Sequence, residues 1–178
     1  MKKLVTIAIV ALAFIAAPTA NAQEFKVDKS PMDQTAFPTS YREAKKDIKV
    51  TYSRPQLKGR SLSKLAPNGE VWRTGANEAV ELTLYKDMKL GATPVKAGTY
   101  TLYTIPGEKE WTVILNKDLN VWGSYFYKEE NDVARINVPL ETATESLEFF
   151  GMEFTEVDKG AHLHMGWGTM RIQVPFYN

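Results

Sequence analysis

The sequence contains no cysteine. That excludes disulfides, thiolate metal centres and cysteine nucleophiles, so the fold must hold through its core alone. Histidine is scarce as well, limited to His162 and His164. An excess of either charge is also missing, with 22 Lys and Arg against 21 Asp and Glu. Without a basic surplus, nucleic acid and anionic membrane surfaces are not expected partners. Several catalytic and nucleotide motifs are absent: no Gly-x-Ser-x-Gly elbow, no phosphate-binding glycine loop, no His-Glu-x-x-His and no calcium loop. No helix-period segment is long enough to cover a sheet; the nearest approach is a short turn at 60–65.

What is present begins with an address. Lys2 and Lys3 precede an apolar run over residues 4–17, followed by Ala20-Asn21-Ala22, a small-x-small cleavage site. This is the layout of a secretory signal peptide, and the run is shorter than the roughly 20 residues a spanning helix needs. The expectation is a leader over 1–22, cleavage after Ala22, and a periplasmic or extracellular protein with no integral membrane span. Losing Lys2 and Lys3 takes the formal charge from +1 to −1. Residues 23–46 are polar, contain Pro31 and Pro38, and predict an N-terminal arm with one short helical turn at 41–46. Residues 47–178 predict a single domain.

From Asp47 onward the hydrophobic period is two. Ile48, Val50 and Tyr52 alternate with Lys49, Thr51 and Ser53; Val80, Leu82 and Leu84 alternate with Glu81, Thr83 and Tyr85. The pattern recurs around Tyr100 and Leu102, Trp111 to Leu115, Ala134 to Leu140, Leu147 and Phe149, and Ala161 to Trp167. Met170, Ile172 and Val174 either continue that last run or pair with it. Such alternation predicts strands with one face in a core and one face wet. Asn68-Gly69, Gly98, Pro106-Gly107 and Lys159-Gly160 supply the turns. The predicted class is all-β: an antiparallel β-sandwich, jelly-roll-like or barrel-like, with at most short helical turns.

The runs YSRPQLKGR, GEVWRTGANEA, VKAGTYTLYTIPGEKEWTVILN and WGSYFYKEENDVARI carry a resemblance. The chain resembles, from about Ser30 onward, the secreted bacterial family known as domain of unknown function 2911. The resemblance implies an exported, β-rich single domain and implies no activity. That family's last strand has no particular histidine pair, so a role for His162 and His164 would not follow from it.

The segment VWRTGANEA concentrates the chemistry. Arg73 offers a planar fork suited to a carboxylate or phosphate. Trp72 is a flat face on which a sugar ring could stack, and Asn77 and Glu78 could orient the arginine. Arg54, Lys58 and Arg60 could join Arg73, and four cations together would need an anionic ligand or carboxylates. The same residues could instead lock a loop to a sheet by satisfying buried carbonyls. Trp122, Tyr125, Phe126 and Tyr127 could form a stacking ledge or pack as strand-end core. His162 and His164, two apart on a strand, share one face and could hold zinc or copper, although three protein ligands are usual; otherwise no cofactor is expected. The leading functional expectation is an exported, non-enzymatic binding module for an anionic or glycan-like ligand or an envelope partner. An envelope-polymer hydrolase, a metal-assisted enzyme and a purely structural or interaction domain are the alternatives.

Overall fold

The computed structural model describes residues 22–178. The expected leader therefore lies outside the described residues, apart from Ala22. Ten strands form, in chain order β1 (Met32–Phe37), β2 (Ile48–Ser53), β3 (Val80–Leu84), β4 (Met88–Leu90), β5 (Thr93–Val95), β6 (Gly98–Ile105), β7 (Glu110–Asn116), β8 (Asp132–Pro139), β9 (Glu141–Val157) and β10 (Gly160–Tyr177). The one α-helix among the described residues, α1 (Leu62–Leu65), is a single turn within the expected 60–65 segment. No helix there is long and apolar enough to cross a membrane.

Two antiparallel sheets result, as the alternation requires. One has the order β1-β2-β3-β6-β7-β8 and the other β5-β4-β10-β9. Ile48, Val50, Leu82, Leu102, Val113 and Leu115 of the first sheet meet Phe150, Leu163, Ile172, Val174 and Phe176 of the second in one core. β1 lies against β9, and β8 against β10 and β5, so the sheets also approach each other along both margins.

The structure departs from the pattern in three places. The arm expected over 23–46 is not all irregular: β1 pairs residue by residue with β2, from Met32↔Ser53 to Phe37↔Ile48. Asp33, Gln34 and Thr35 at its middle are polar and only Phe37 is buried, as suits an edge strand, and periodicity did not mark it. The helical turn expected at 41–46 is only a single hydrogen-bonded turn at Tyr41 and Arg42, where the Glu43 N–H donates to the Ser40 carbonyl. In β9 the phase is opposite to expectation. Phe150, Met152 and Phe154 are buried, while Leu147 and Phe149 are exposed.

β10 is folded back on itself. A straight strand of its length would hold its ends roughly 55 Å apart. Here Asn178, just beyond its end, donates its backbone N–H to the Lys159 carbonyl at its start, 2.8 Å away. The reversal occurs where the β9–β10 register shifts, around Gly168, whose φ of 55° lies in the left-handed region. Both sequence readings of 161–174, continuation and pairing, are thus realised in one element.

Candidate functional site

The segment 69–79 is laced to β6, to the end of β2 and to the 117–128 loop. Trp72 and Thr104 exchange backbone hydrogen bonds of 2.7 and 3.0 Å. Ala76 donates to the Ser53 carbonyl at the end of β2, and Gly123 donates to the Asn77 carbonyl. Gly75 permits that approach, since a Cβ there would sit 3.0 Å from the Ser53 oxygen. Thr74 is fully buried with φ of 59°, and its hydroxyl donates towards Thr104 Oγ1 (3.1 Å) and the Trp72 carbonyl (3.3 Å). The polar lock in this stretch is Thr74, a residue the sequence reading passed over.

Trp72 is not a ligand platform. It stacks on Trp167 (5.6 Å, 13°) and meets Trp111 and Phe150 edge-on, at 5% exposure. Alternation then sends its neighbours Val71 and Arg73 to the opposite side. Val71 joins a second apolar cluster on the outer face of the six-stranded sheet, with Ala79, Tyr103, Ile114, Ile105, Val121 and Tyr127. Tyr103 and Ile114 were expected to be wet. They are buried because the 117–128 loop folds over β6 and β7. Burial, with Asp118 and Asp132 nearby, pushes the Tyr103 phenol up to about 12.

That loop has a rigid base. Asn116, fully buried, donates to the Lys128 carbonyl (3.0 Å) and Asp132 Oδ1 (2.8 Å). Asn131 bridges both oxygens of Asp118 at 2.8 and 2.7 Å, and Tyr127 donates to Asp132 Oδ2 at 2.7 Å. Desolvation and that bonded carboxylate raise the Tyr127 pKa. Above this base the loop presents Trp122, Tyr125 and Phe126, exposed at 55%, 79% and 68%. Three of the four aromatics expected as a ledge are therefore outside. Tyr127 turns in against Tyr103 at 5.2 Å.

Arg73 lies half-buried by this loop. Its side chain makes no hydrogen bond or ion pair among the described residues, and its Nε is sealed from solvent without a partner. Burial lowers its pKa, and the neighbouring Tyr125 hydroxyl opposes that shift. Neither Asn77 nor Glu78 orients it. Asn77, at φ 59°, lies beside Asp28 of the arm and helps lower its pKa, after the Ser30 N–H. Glu78 is exposed and pairs through its backbone with Trp122.

Arg54, Lys58 and Arg60 do not gather round Arg73. Arg54 is ion-paired with Asp33 and lies over the Tyr52 ring. Arg60 donates to the Leu57 and Gln56 carbonyls at 2.9 and 2.8 Å. Lys58 is exposed, with its backbone N–H on Glu148 Oε1. His162 and His164 do share a face, with ring centroids 6.5 Å apart. His162 meets the Tyr177 hydroxyl (3.3 Å) and Gln173; His164 Nε2 meets Thr155 Oγ1 at 2.7 Å. Burial, then the neighbouring His164, lowers the His162 pKa. No group of three His, Cys, Asp or Glu able to hold a metal occurs among the described residues.

The family model described as a protein of unknown function, DUF2911, matches residues 30–176. The chain belongs to this family. Its matched range takes in β1, the laced segment 69–79 and the 117–128 loop, so the whole site lies within the family domain. No curated protein and no solved structure matches the chain.

Proposed function

We propose that this DUF2911 protein is an exported, non-catalytic binding module for an anionic, ring-bearing ligand of the cell envelope, such as an acidic sugar. Arg73 grips the anion, and Trp122, Tyr125 and Phe126 offer faces for the ring. The observation that carries the reading is the unpartnered, half-buried guanidinium of Arg73 beside an exposed aromatic loop. A cation removed from water without a partner is disfavoured by several kcal/mol at full burial. A ligand carboxylate would offset that through charge-assisted, bidentate bonds. Stacking on an aromatic face adds about 0.5–1.5 kcal/mol. The locked base of the loop supports the reading too, because a site held in place before binding loses less entropy on binding. The leader-like residues 1–22 support export.

Residues 23–178 titrated with glucuronic acid, glucose and inorganic phosphate provide the test. Trp122 is the exposed tryptophan, the other three being buried, so fluorescence reports this surface. Glucuronic acid is expected to change that fluorescence and raise the unfolding midpoint, glucose less so, and Arg73→Met to abolish both effects. An equal response from Arg73→Met, or none to glucuronic acid and its oligomers, would reject the assignment.

A further inference from the structure

A second site lies on the other sheet and stands independently of the first. In the β9–β10 ladder Gly151 faces Gly166. With no side chain at either position, the outer face of the sheet has a gap. A cleft of about 420 Å³ opens there, lined by Arg54, Glu141, Leu147, Glu153, His164 and Arg171 together with the two glycines. That volume suits a small ligand.

The charges around the gap are arranged unevenly. Arg171 lies over Gly166, whose Cβ, if present, would stand 3.2 Å from Arg171 Cδ. Its guanidinium is pinned by the carbonyls of Gly168 (3.0 Å), Met170 (2.7 Å) and Glu145 (3.0 Å). These acceptors are neutral, and Arg171 has no carboxylate partner among the described residues, so its charge is held in place and uncompensated. Arg54 differs, because Asp33 answers its charge. Glu153 stands across the ladder from His164, and Glu141 across from Arg171. Neither glutamate takes part in an ion pair among the described residues. A purely anionic ligand would meet two unanswered carboxylates, and a purely cationic one would meet Arg171. Only a ligand with both signs suits the whole rim.

We propose that this cleft binds a small zwitterion, a free amino acid or dipeptide, with its carboxylate on Arg171 and its ammonium between Glu141 and Glu153. Gly151 gives the means of testing it. A Cβ there would meet no atom within 4 Å, and its φ lies outside the left-handed region, so a side chain fits the fold while filling the cleft.

The experiment follows backbone amides of residues 23–178 by NMR during titration with dialanine, N-acetyl-dialanine and dialanine amide. Dialanine is expected to shift Gly151, Glu153, Gly166 and Arg171 saturably, and each capped form to bind about tenfold more weakly. Gly151→Val should melt like wild type, lose the dialanine response and keep the glucuronic acid response at Arg73. Glu153→Gln, which changes one exposed side chain, should weaken dialanine and leave its amide-capped form bound through the same ammonium contact more weakly still. Should dialanine give no saturable shift, should N-acetyl-dialanine bind as well as dialanine, or should Gly151→Val bind undiminished, the zwitterion site is refuted. If Gly151→Val fails to fold, the Glu153→Gln and capping comparisons decide alone.

Discussion

Trp72 and Arg73 are adjacent in the chain and opposite in fate. One is sealed among aromatics, and the other is turned outward without a partner. Their stability effects should differ accordingly. Replacing an unpartnered, half-buried cation with an apolar side chain of similar length removes a desolvation penalty. Arg73→Met should therefore raise stability by about 1 kcal/mol, read from the urea midpoint, while ligand response disappears. A loss of several kcal/mol would instead make Arg73 a structural residue. Thr74→Val should do the opposite. Valine keeps the branched shape at φ 59°, so backbone strain is unchanged and only the hydroxyl is lost. Removing the donor to buried Thr104 should cost about 1–3 kcal/mol in the same measurement. At this scale the sequence showed which chemistry was present but not where it pointed. The fork of Arg73 was visible, whereas its lack of partners depended on Asn77 lying beside Asp28 and Glu78 turning to solvent.

Among the elements, strands with long alternation were legible and short ones were not. β2, β3, β6, β7 and β8 lie where period-two runs place them. β4 and β5 have three residues each, too few to display a period, and β5 contains Pro94. The covered outer face of β6 and β7 was hidden because it depends on a loop whose base is tied by Asn116, Asn131 and Asp132, polar residues that look like surface. The doubling of β10 was half visible, in the break of phase between Trp167 and Met170. Gly160 tests how closely that fold-back fits. A Cβ at this position would collide with the Phe176 carbonyl and crowd the Tyr177 backbone. Gly160→Ala should push the strand ends apart, destabilise the protein by about 1–3 kcal/mol, and speed hydrogen exchange at the Asn178 amide. Unchanged exchange there would show that the ends are not in register.

Over the whole molecule, both sheets contribute to one core, and three of the four tryptophans sit within it. Thermal unfolding followed by tryptophan fluorescence and by far-ultraviolet circular dichroism should therefore give coincident single transitions. Two separated transitions would mean that the sheets melt independently. The order in which the parts are made also matters. The six-stranded sheet is complete at Pro139, yet the layer opposing its inner face, with Trp72 and Trp111, is completed only when β9 supplies Phe150 and β10 supplies Trp167, Ile172, Val174 and Phe176. A partly synthesised chain thus holds an unmatched apolar surface and no finished core. The core cannot close until the last strand emerges, and then closes around residues made more than a hundred positions earlier.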